Sequence, residues 1–339
     1  MIQQIKDALI KNPEYLISLL EKYEFCNFKL HSNYLSFGRD VDSSPKSIVI
    51  YLENNAFCTV KDYARGLRCD VFRFIIETRE VTFREVINNA RQIVGLDYMS
   101  YKKPVIFGGF YDQIRSPLSD PDIEELDESV LGLYESVGNI RFAKDGIDLE
   151  TQKFYGIGYD VESQAITIPI RDEIGRLVGV KARINEDERT NKYFYLHPTV
   201  MSQLLYSYSE NYAYMQNDLV VIFESEKSCM QCHSFGFNNA VAIGSSELSD
   251  KQIKMIVSLN PKRIILAHDK SLDREVIKGN LKKILAYRKY KSFELGYVDM
   301  ERDKEIPEKS SPSDMGKDKF FDILENETIY YQEREDKNR

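Results

Sequence analysis

Three acids and one basic stretch are the side chains whose types and positions can do chemistry. Glu224 follows the apolar run 219–223, Asp269 follows the run 263–267, and Asp314 stands later, in SPSDMGKD. Ligands of open parallel sheets bind outside the carboxyl ends of the strands. Two acids leaving neighbouring strands there can share one cation. Ser245 and Ser246 leave a third run, 240–243, between them. Hard divalent ions take carboxylate oxygens and keep water positions for substrate phosphates, and two such ions can bracket an in-line phosphoryl transfer. An acid after a strand also suits the N-terminus of the next helix, so the pattern leaves capping and metal binding both open. Arg171, Arg176, Lys181, Arg183, Arg189 and Lys192 crowd into a short stretch. Guanidinium forks and lysine point charges suit phosphates. Asp172, Glu173, Glu186, Asp187 and Glu188 lie among them and fit a solvated hairpin equally well.

The elements that must position these groups follow from periodicity. Residues 2–23 carry an apolar stripe of helical spacing through Ile2, Ile5, Leu9, Leu16, Leu19 and Leu20. Strand-like runs at 34–37, 47–52 and 57–60 come next, with Asn54-Asn55 as a hairpin turn. One helix starts near Asp70. A second has Thr82 and Glu85 as its capping box and Gly95 as its stop. Residues 1–96 thus form a small α+β module. Breakers (Pro104, Gly108-Gly109, Pro117, Pro121) mark 97–125 as a linker. Runs 165–170 and 177–184 form a hairpin around Ile174-Gly175. From 217 the pattern becomes alternating: strands 219–223, 240–243 and 263–267, with helices at 226–235, 249–259 and 272–285. That order predicts βαβ units in a parallel sheet. The segments are then 126–216, 217–300 and a charged 301–339 with a helix near 317–324 and a frayed terminus.

Composition sets outer limits. The chain has 339 residues, 42% of them hydrophobic, which excludes wholesale disorder. No apolar run approaches the ~18–20 residues of a membrane span, and the amphipathic start lacks the pattern of a signal peptide. A cytoplasmic protein with no membrane partner is expected. Five cysteines make no disulfide framework. A net charge of −8 argues against nonspecific coating of nucleic acid, though a local basic groove remains compatible with it.

Glu-x-Glu-Lys-Ser after a buried strand, then an Asp after the third strand, resembles a TOPRIM domain. KFYGIGYD, ITIPIRDEIGRLVGVKARI and NKYF precede it in the order and approximate spacing of the bacterial-type DNA primase core. FCTVKDYARGLRCDVFRFIIETREVTFREVINNA resembles the C-terminal half of the primase zinc-binding module. The likeness covers most of the chain and is closest to compact phage-encoded primases. It implies an α+β multidomain fold: a degenerate zinc-ribbon-like, template-binding module, then a polymerase core with a Rossmann-like TOPRIM sheet. It implies synthesis of short RNA primers on single-stranded DNA from ribonucleoside triphosphates, with a replicative helicase acting in trans. Glu224, Asp269 and Asp314 become the catalytic acids. Glu224, Asp269, Ser271 and Asp273 become the metal positions for Mg²⁺ or Mn²⁺. Arg171, Lys181, Arg183, Lys192 and Lys227 become the nucleotide and template contacts. Of these, Arg183 and Lys192 fall on family positions. The family's second acid is Ser271 here, and Asp273 is two positions late. That departure motivates a second reading, a weakened primase-like protein that binds single strands or a replication partner. A third is a TOPRIM nuclease; a topoisomerase lacks any strand-passage segment.

Other motifs carry less. Cys229-Met-Gln-Cys232-His233 spells a haem-attachment motif inside a predicted helix, where core packing is the expectation. Structural zinc needs four ligands. Cys26, His31, Cys58 and Cys69 are the available set, and their spacings fit no short knuckle, so a metal-free module is expected. Phe28, Tyr34, Phe37, Tyr51 and Phe57 with Lys29, Arg39, Lys46, Lys61 and Arg65 can serve single-strand binding or simply pack. The tyrosine-rich 206–214 reads as a helix and loop packing between subdomains, with stacking on nucleotide as the alternative.

Overall fold

The computed structural model describes residues 1–42, 47–96, 123–185, 192–301 and 303–331. The chain forms two compact units, Met1–Glu124 and Glu125–Arg339. Most of the expected linker, together with Lys46, Arg189, Glu186, Asp187, Glu188 and the charged terminus, lies outside the described residues.

The first unit starts with α1 (Ile2–Lys11) and α2 (Pro13–Lys22), where the stripe predicts one helix. Pro13 has no N–H to donate and pushes the preceding residue out of the helical region; Asn12 accordingly sits at φ −128°, ψ 87°. Ile5, Leu9, Leu16, Leu19 and Leu20 are nonetheless all buried, so the stripe is right and its continuity wrong. Five antiparallel strands follow in sequence order: β1 (Cys26–Leu30), β2 (Tyr34–Gly38), β3 (Ile48–Tyr51), β4 (Thr59–Asp62) and β5 (Leu67–Asp70). Asn55 fixes the β3–β4 turn, its amide side chain bonding the Tyr51 and Thr59 carbonyls and the Thr59 N–H. Helices α3 (Val71–Arg79) and α4 (Phe83–Val94) start at Asp70 and Thr82, whose side chains accept the Arg73 and Glu85 N–H groups. Gly95, at φ 71°, ends α4 in the left-handed region that favours glycine.

Several N-terminal expectations need correction. Phe37 is fully buried and belongs to the core, so it cannot stack on a base. Phe28 packs on it, 5.8 Å between centroids. Arg39 is paired with buried Asp62 rather than free for phosphate. The four candidate zinc ligands do not converge. Cys58 and Cys69 are buried, Cys26 is half-buried, and His31 is exposed and stacked on Tyr34 at 4.1 Å. Among the described residues no three His, Cys, Asp or Glu side chains could hold one ion. Burial pushes the Cys58 thiol well above its usual range, and the Lys6 ammonium beside Asp70 already supplies a buried cation nearby. These residues do not fit a zinc site.

The second unit holds two sheets. The first is antiparallel: β6 (Gly158–Asp160), β7 (Ala165–Arg171), β8 (Leu177–Ile184) and β9 (Tyr193–His197). Short helices α5 (Ile140–Lys144) and α6 (Leu149–Phe154) precede it, and α7 (Tyr208–Met215) follows. The expected hairpin is the β7–β8 pair. The second sheet has the order β11-β10-β12-β13-β14, from β10 (Leu219–Phe223), β11 (Ala240–Ala242), β12 (Arg263–Leu266), β13 (Glu294–Val298) and β14 (Thr328–Tyr330). Its first four strands are parallel and β14 is antiparallel. Helices α8 (Glu226–Ser234), α9 (Asp250–Ser258), α10 (Arg274–Leu285) and α11 (Lys317–Asn326) connect and follow them. Residues 220–223 and 240–243 are wholly buried, as strands of a doubly covered sheet must be. Each such Val, Ile or Phe adds roughly 1.5–3 kcal/mol by leaving water.

Tyr206, Tyr208 and Tyr212 are buried, so the tyrosine-rich segment is packing; Tyr214 alone among them is mostly exposed. Cys229 and Cys232 are buried on α8, while His233 stacks on Phe154. Among the described residues no helix is long and apolar enough to cross a membrane.

Candidate active site

Glu224 is the first residue beyond β10, and the end of that strand is bonded to both neighbouring strands. The N–H of Gly244, after β11, donates to the Glu224 carbonyl at 2.9 Å, and the Ala267 N–H, after β12, donates to Ile222 at 2.8 Å. Gly244 turns there at φ 71°, against the side chain of Met201. Asp269 arrives from the neighbouring parallel strand. Its N–H donates to Glu224 Oε1 at 3.2 Å. His268, buried, places Nδ1 3.5 Å from the same oxygen. Its Nε2 lies 3.4 Å from the Asn280 amide, which in turn binds the Ser246 carbonyl.

Asp314 lies on a 3-10 turn, Pro312–Met315. Lys227 Nζ is 2.6 Å from its Oδ1, Gln231 Nε2 donates to that oxygen at 3.0 Å, and the Ser311 N–H binds Oδ2. Burial, then the charges of Glu224 and Asp314, push the Asp269 carboxyl from 3.8 to about 7, with Lys227 opposing. The three acids therefore share one electrostatic field. They do not meet as three direct ligands of one ion, and no such group exists among the described residues. Two carboxylates with substrate oxygens are an ordinary shell for Mg²⁺. Two half-buried carboxylates, one of them raised first by burial and then by its acidic neighbours, fit a bound divalent cation.

The raised Asp269 carboxyl has a measurable consequence. The folded carboxyl of Asp269 keeps its proton up to about pH 7, whereas in the unfolded chain it loses it near 3.8. Its contribution to stability is full below pH 3.8 and is lost as pH rises through 7. Asp269→Asn removes the charge. Metal-free, the variant should melt higher than wild type at pH 8, by about 1 kcal/mol after discounting for solvent screening of a half-buried group. Near pH 4 the two should coincide. Thermal melts in chelator at both pH values check this, and a less stable variant at pH 8 would overturn it.

The remaining predicted residues are placed differently from one another. Ser271 is exposed, at φ 71°, and its N–H donates to Glu301 Oε1 at 3.0 Å. Asp273 caps α10 by accepting the Glu275 N–H. Arg171 forms a two-pronged pair with Glu128, at 2.6 and 3.1 Å. Arg176 pairs with Asp172 and Glu125. Arg183 is buried, 3.4 Å from Asp145, with its guanidinium near the Phe142 and Tyr193 rings. Lys192 is half-buried just before β9.

Lys181 does not point a free charge at solvent. Its Nζ binds both oxygens of Glu226, at 2.9 and 2.8 Å, and Glu226 is 2% exposed. This pair ties β8 to the first turn of the helix that follows Glu224. Spacing alone missed Glu226, although it is the second acid of Glu-x-Glu-Lys-Ser. His268 and Gln231 were also missed. The signal for His268 was its place beside Asp269 at a strand end; for Gln231 there was none. Lys181→Gln should cost about 2–3 kcal/mol, because Glu226 loses its buried partner. Lys181→Gln/Glu226→Gln should recover most of that. Urea melts of the variants check it; a single variant as stable as wild type would contradict the pairing.

Three comparisons bear on this arrangement. No family model matches the sequence. The zinc-binding and RNA polymerase domains of the Aquifex aeolicus primase superpose with a TM-score of 0.50 and 15% identity, over 96% of this chain and 86% of that one. The fold is that of a bacterial primase. The E. coli primase catalytic core superposes with the same TM-score at 16% identity, over 60% of this chain and 79% of its own length. A curated sequence relative, the SPbeta prophage-derived uncharacterized protein YorJ of Bacillus subtilis (strain 168), is 24% identical across 76% of this chain and 79% of that protein. The primase fold thus spans both compact units, and Glu224 and Asp269 follow neighbouring strands within it.

Proposed function

We propose that this chain is a DNA primase. It would make short RNA primers on single-stranded DNA by template-directed nucleotidyl transfer, using Glu224 and Asp269 with Mg²⁺ or Mn²⁺. One observation carries the reading: Glu224 and Asp269 meet at the carboxyl ends of two adjacent parallel strands, in an electrostatic field that favours added positive charge, inside a primase fold. In this reading the parallel sheet is a TOPRIM domain (217–300) and the antiparallel sheet belongs to the core's N-terminal subdomain (126–216). Residues 1–96 are a degenerate, metal-free zinc-ribbon-like module and 301–339 the charged C-terminal segment.

The chain's own residues position and neutralise. The Asp269 N–H holds the Glu224 carboxylate in place beside the buried His268 ring, ready to accept the proton of the primer 3′-hydroxyl. Lys227 orients Asp314 and adds positive charge beside the transferring phosphate. Lys192, half-buried just before β9, would lie along template and triphosphate, whereas Arg183, expected there from the sequence, is buried against Asp145 and supports β8 instead. The lysine of the Lys181–Glu226 pair supports that strand rather than binding phosphate. When bound, the metal supplies charge neutralisation on the transferring phosphate.

The N-terminal sheet fits template binding. Tyr34 and Tyr51 face each other across β2 and β3 at 6.2 Å, His31 stacks on Tyr34, and Lys61 sits 4.7 Å over Tyr51. Tyr51, exposed beside the Lys61 ammonium, suits an unpaired base. A replicative helicase in trans completes the reading.

The test is release of pyrophosphate from ribonucleoside triphosphates, with single-stranded DNA and either Mg²⁺ or Mn²⁺. Release that needs both strand and metal supports a primase. Strand binding without release favours the weakened, accessory reading, which the solvent-facing Ser271 at the family's acid position motivates. Metal-dependent shortening of the strand would instead assign a nuclease.

A further inference from the structure

The carboxyl ends of the parallel strands hold the acids. The opposite end holds a basic, aromatic cavity that the reading above does not use. It measures about 800 Å³ and is lined by Arg263 and Glu294, the first residues of β12 and β13. Arg288 and Lys291, after α10, and Tyr330 and Tyr331 complete it. Strands of four or five residues put this cavity roughly 15 Å from the acids.

The charge there is local and unusual for this protein. Between 276 and 293 there are six Lys and Arg and no acid, in a chain of net charge −8. Some of these cations serve the fold. Lys282 and Lys283 lie in the last turn of α10, where the helix dipole favours them, and Lys291 bonds the Val257 carbonyl. Others have no such duty. Arg263 is exposed, and its guanidinium has no hydrogen bond or ion pair among the described residues. Arg288 lies 5.8 Å from the Phe293 ring and 5.9 Å from the Tyr331 ring, with a buried Nε that has no hydrogen-bond partner among the described residues. Next in the chain after Arg288, and outside the cavity's lining, Lys289 sits 4.8 Å over the ring of Tyr290, which is 73% exposed. Tyr330 is also exposed.

Cations alone would suit any acidic partner. Cations interleaved with exposed, flat rings suit one kind of ligand: a strand whose phosphates pair with Arg and Lys while its unpaired bases stack. We infer that this end of the sheet is a second binding site for single-stranded nucleic acid. Phosphates lie on Arg263, Arg288 and Lys289, and bases stack on Tyr290 and Tyr330. A strand engaged there is held apart from the reacting end, which keeps the protein on its template between primers. The inference rests on the reading that the chain handles single strands, but not on its catalysis.

The test uses the full chain and the surface variant Arg263→Ala/Lys289→Ala/Tyr290→Ala. Fluorescence anisotropy reads binding of a labelled dT oligonucleotide of ~40 residues across a salt series. The variant should bind about tenfold more weakly at low salt. Its slope of log K against log salt should be shallower by about 1.4, from two lost phosphate contacts on a single strand. 5-Iodouracil in the oligonucleotide should cross-link to Tyr290 in the wild-type chain. Unchanged affinity and slope would overturn the site. So would a loss confined to a polyglutamate probe, which would give the surface to an acidic polypeptide. Wild-type binding with the predicted variant defect but no primer synthesis leaves this site standing and removes the primase reading. Primer synthesis with unchanged variant binding removes this site alone.

Discussion

Glu224→Gln should lower primer synthesis by about 10²–10³-fold or more while leaving the fold and strand affinity close to wild type. Glutamine keeps the shape of the side chain and can still accept the Asp269 N–H, 3.2 Å away in the native protein. What it loses is the negative charge that faces the transferring phosphate and its metal, and the basicity to take a hydroxyl proton. Both are needed more in the transition state than before it, so the loss should fall on kcat with little change in KM. The variant should also need more Mg²⁺ or Mn²⁺ for half-maximal residual rate, because one of two adjacent carboxylates is gone. A rate within threefold of wild type would remove Glu224 from the chemistry.

The second large effect lies in the N-terminal unit. Lys6 of α1 and Asp70, the cap of α3, form an ion pair at 2.7 Å, and both side chains are 1% exposed. Lys6→Met should destabilise this unit by about 3–5 kcal/mol, since it leaves a carboxylate in the core without its cation. Asp70 also accepts the Arg73 N–H at 2.8 Å, so its replacement must keep a cap. Lys6→Met/Asp70→Asn does so and should recover most of the loss. Urea unfolding of both variants measures the difference. A single variant within 1 kcal/mol of wild type would mean that Asp70 finds water or takes up a proton at little cost.

The parts of this protein legible in its sequence are those fixed by local pattern. Continuous apolar runs at 219–223, 240–243 and 264–267 announce buried strands, and the acids that follow two of them, Glu224 and Asp269, are the pair the fold brings together. The helix starts near Asp70 and at Thr82 were equally plain, and in the structure each side chain accepts an N–H three residues on.

The missed strands lacked such marks. β13 is interrupted by Gly296 in ELGYV, which lets the Thr328 and Ile329 side of β14 approach closely. β1 and β5 are short and half polar. The charged hairpin was illegible for a different reason. Lys181 meets Glu226 45 residues away, and Arg171 meets Glu128 43 away. Sequence spacing cannot distinguish a lysine that awaits phosphate from one that a distant buried acid already holds. Arg183 is the intermediate case, buried beside Asp145 yet with Nε lacking a hydrogen-bond partner among the described residues.

The most direct measurement is of the product itself. Wild-type chain and Glu224→Gln would be incubated with a single strand of known sequence, all four labelled ribonucleoside triphosphates and Mg²⁺ or Mn²⁺, and the RNA formed would be sized and sequenced. The expected result is short RNA complementary to the template, made by wild type and absent with Glu224→Gln. Intact template with no RNA while the strand is bound, or RNA made equally well by both proteins, would contradict the assignment of primer synthesis to Glu224 and Asp269.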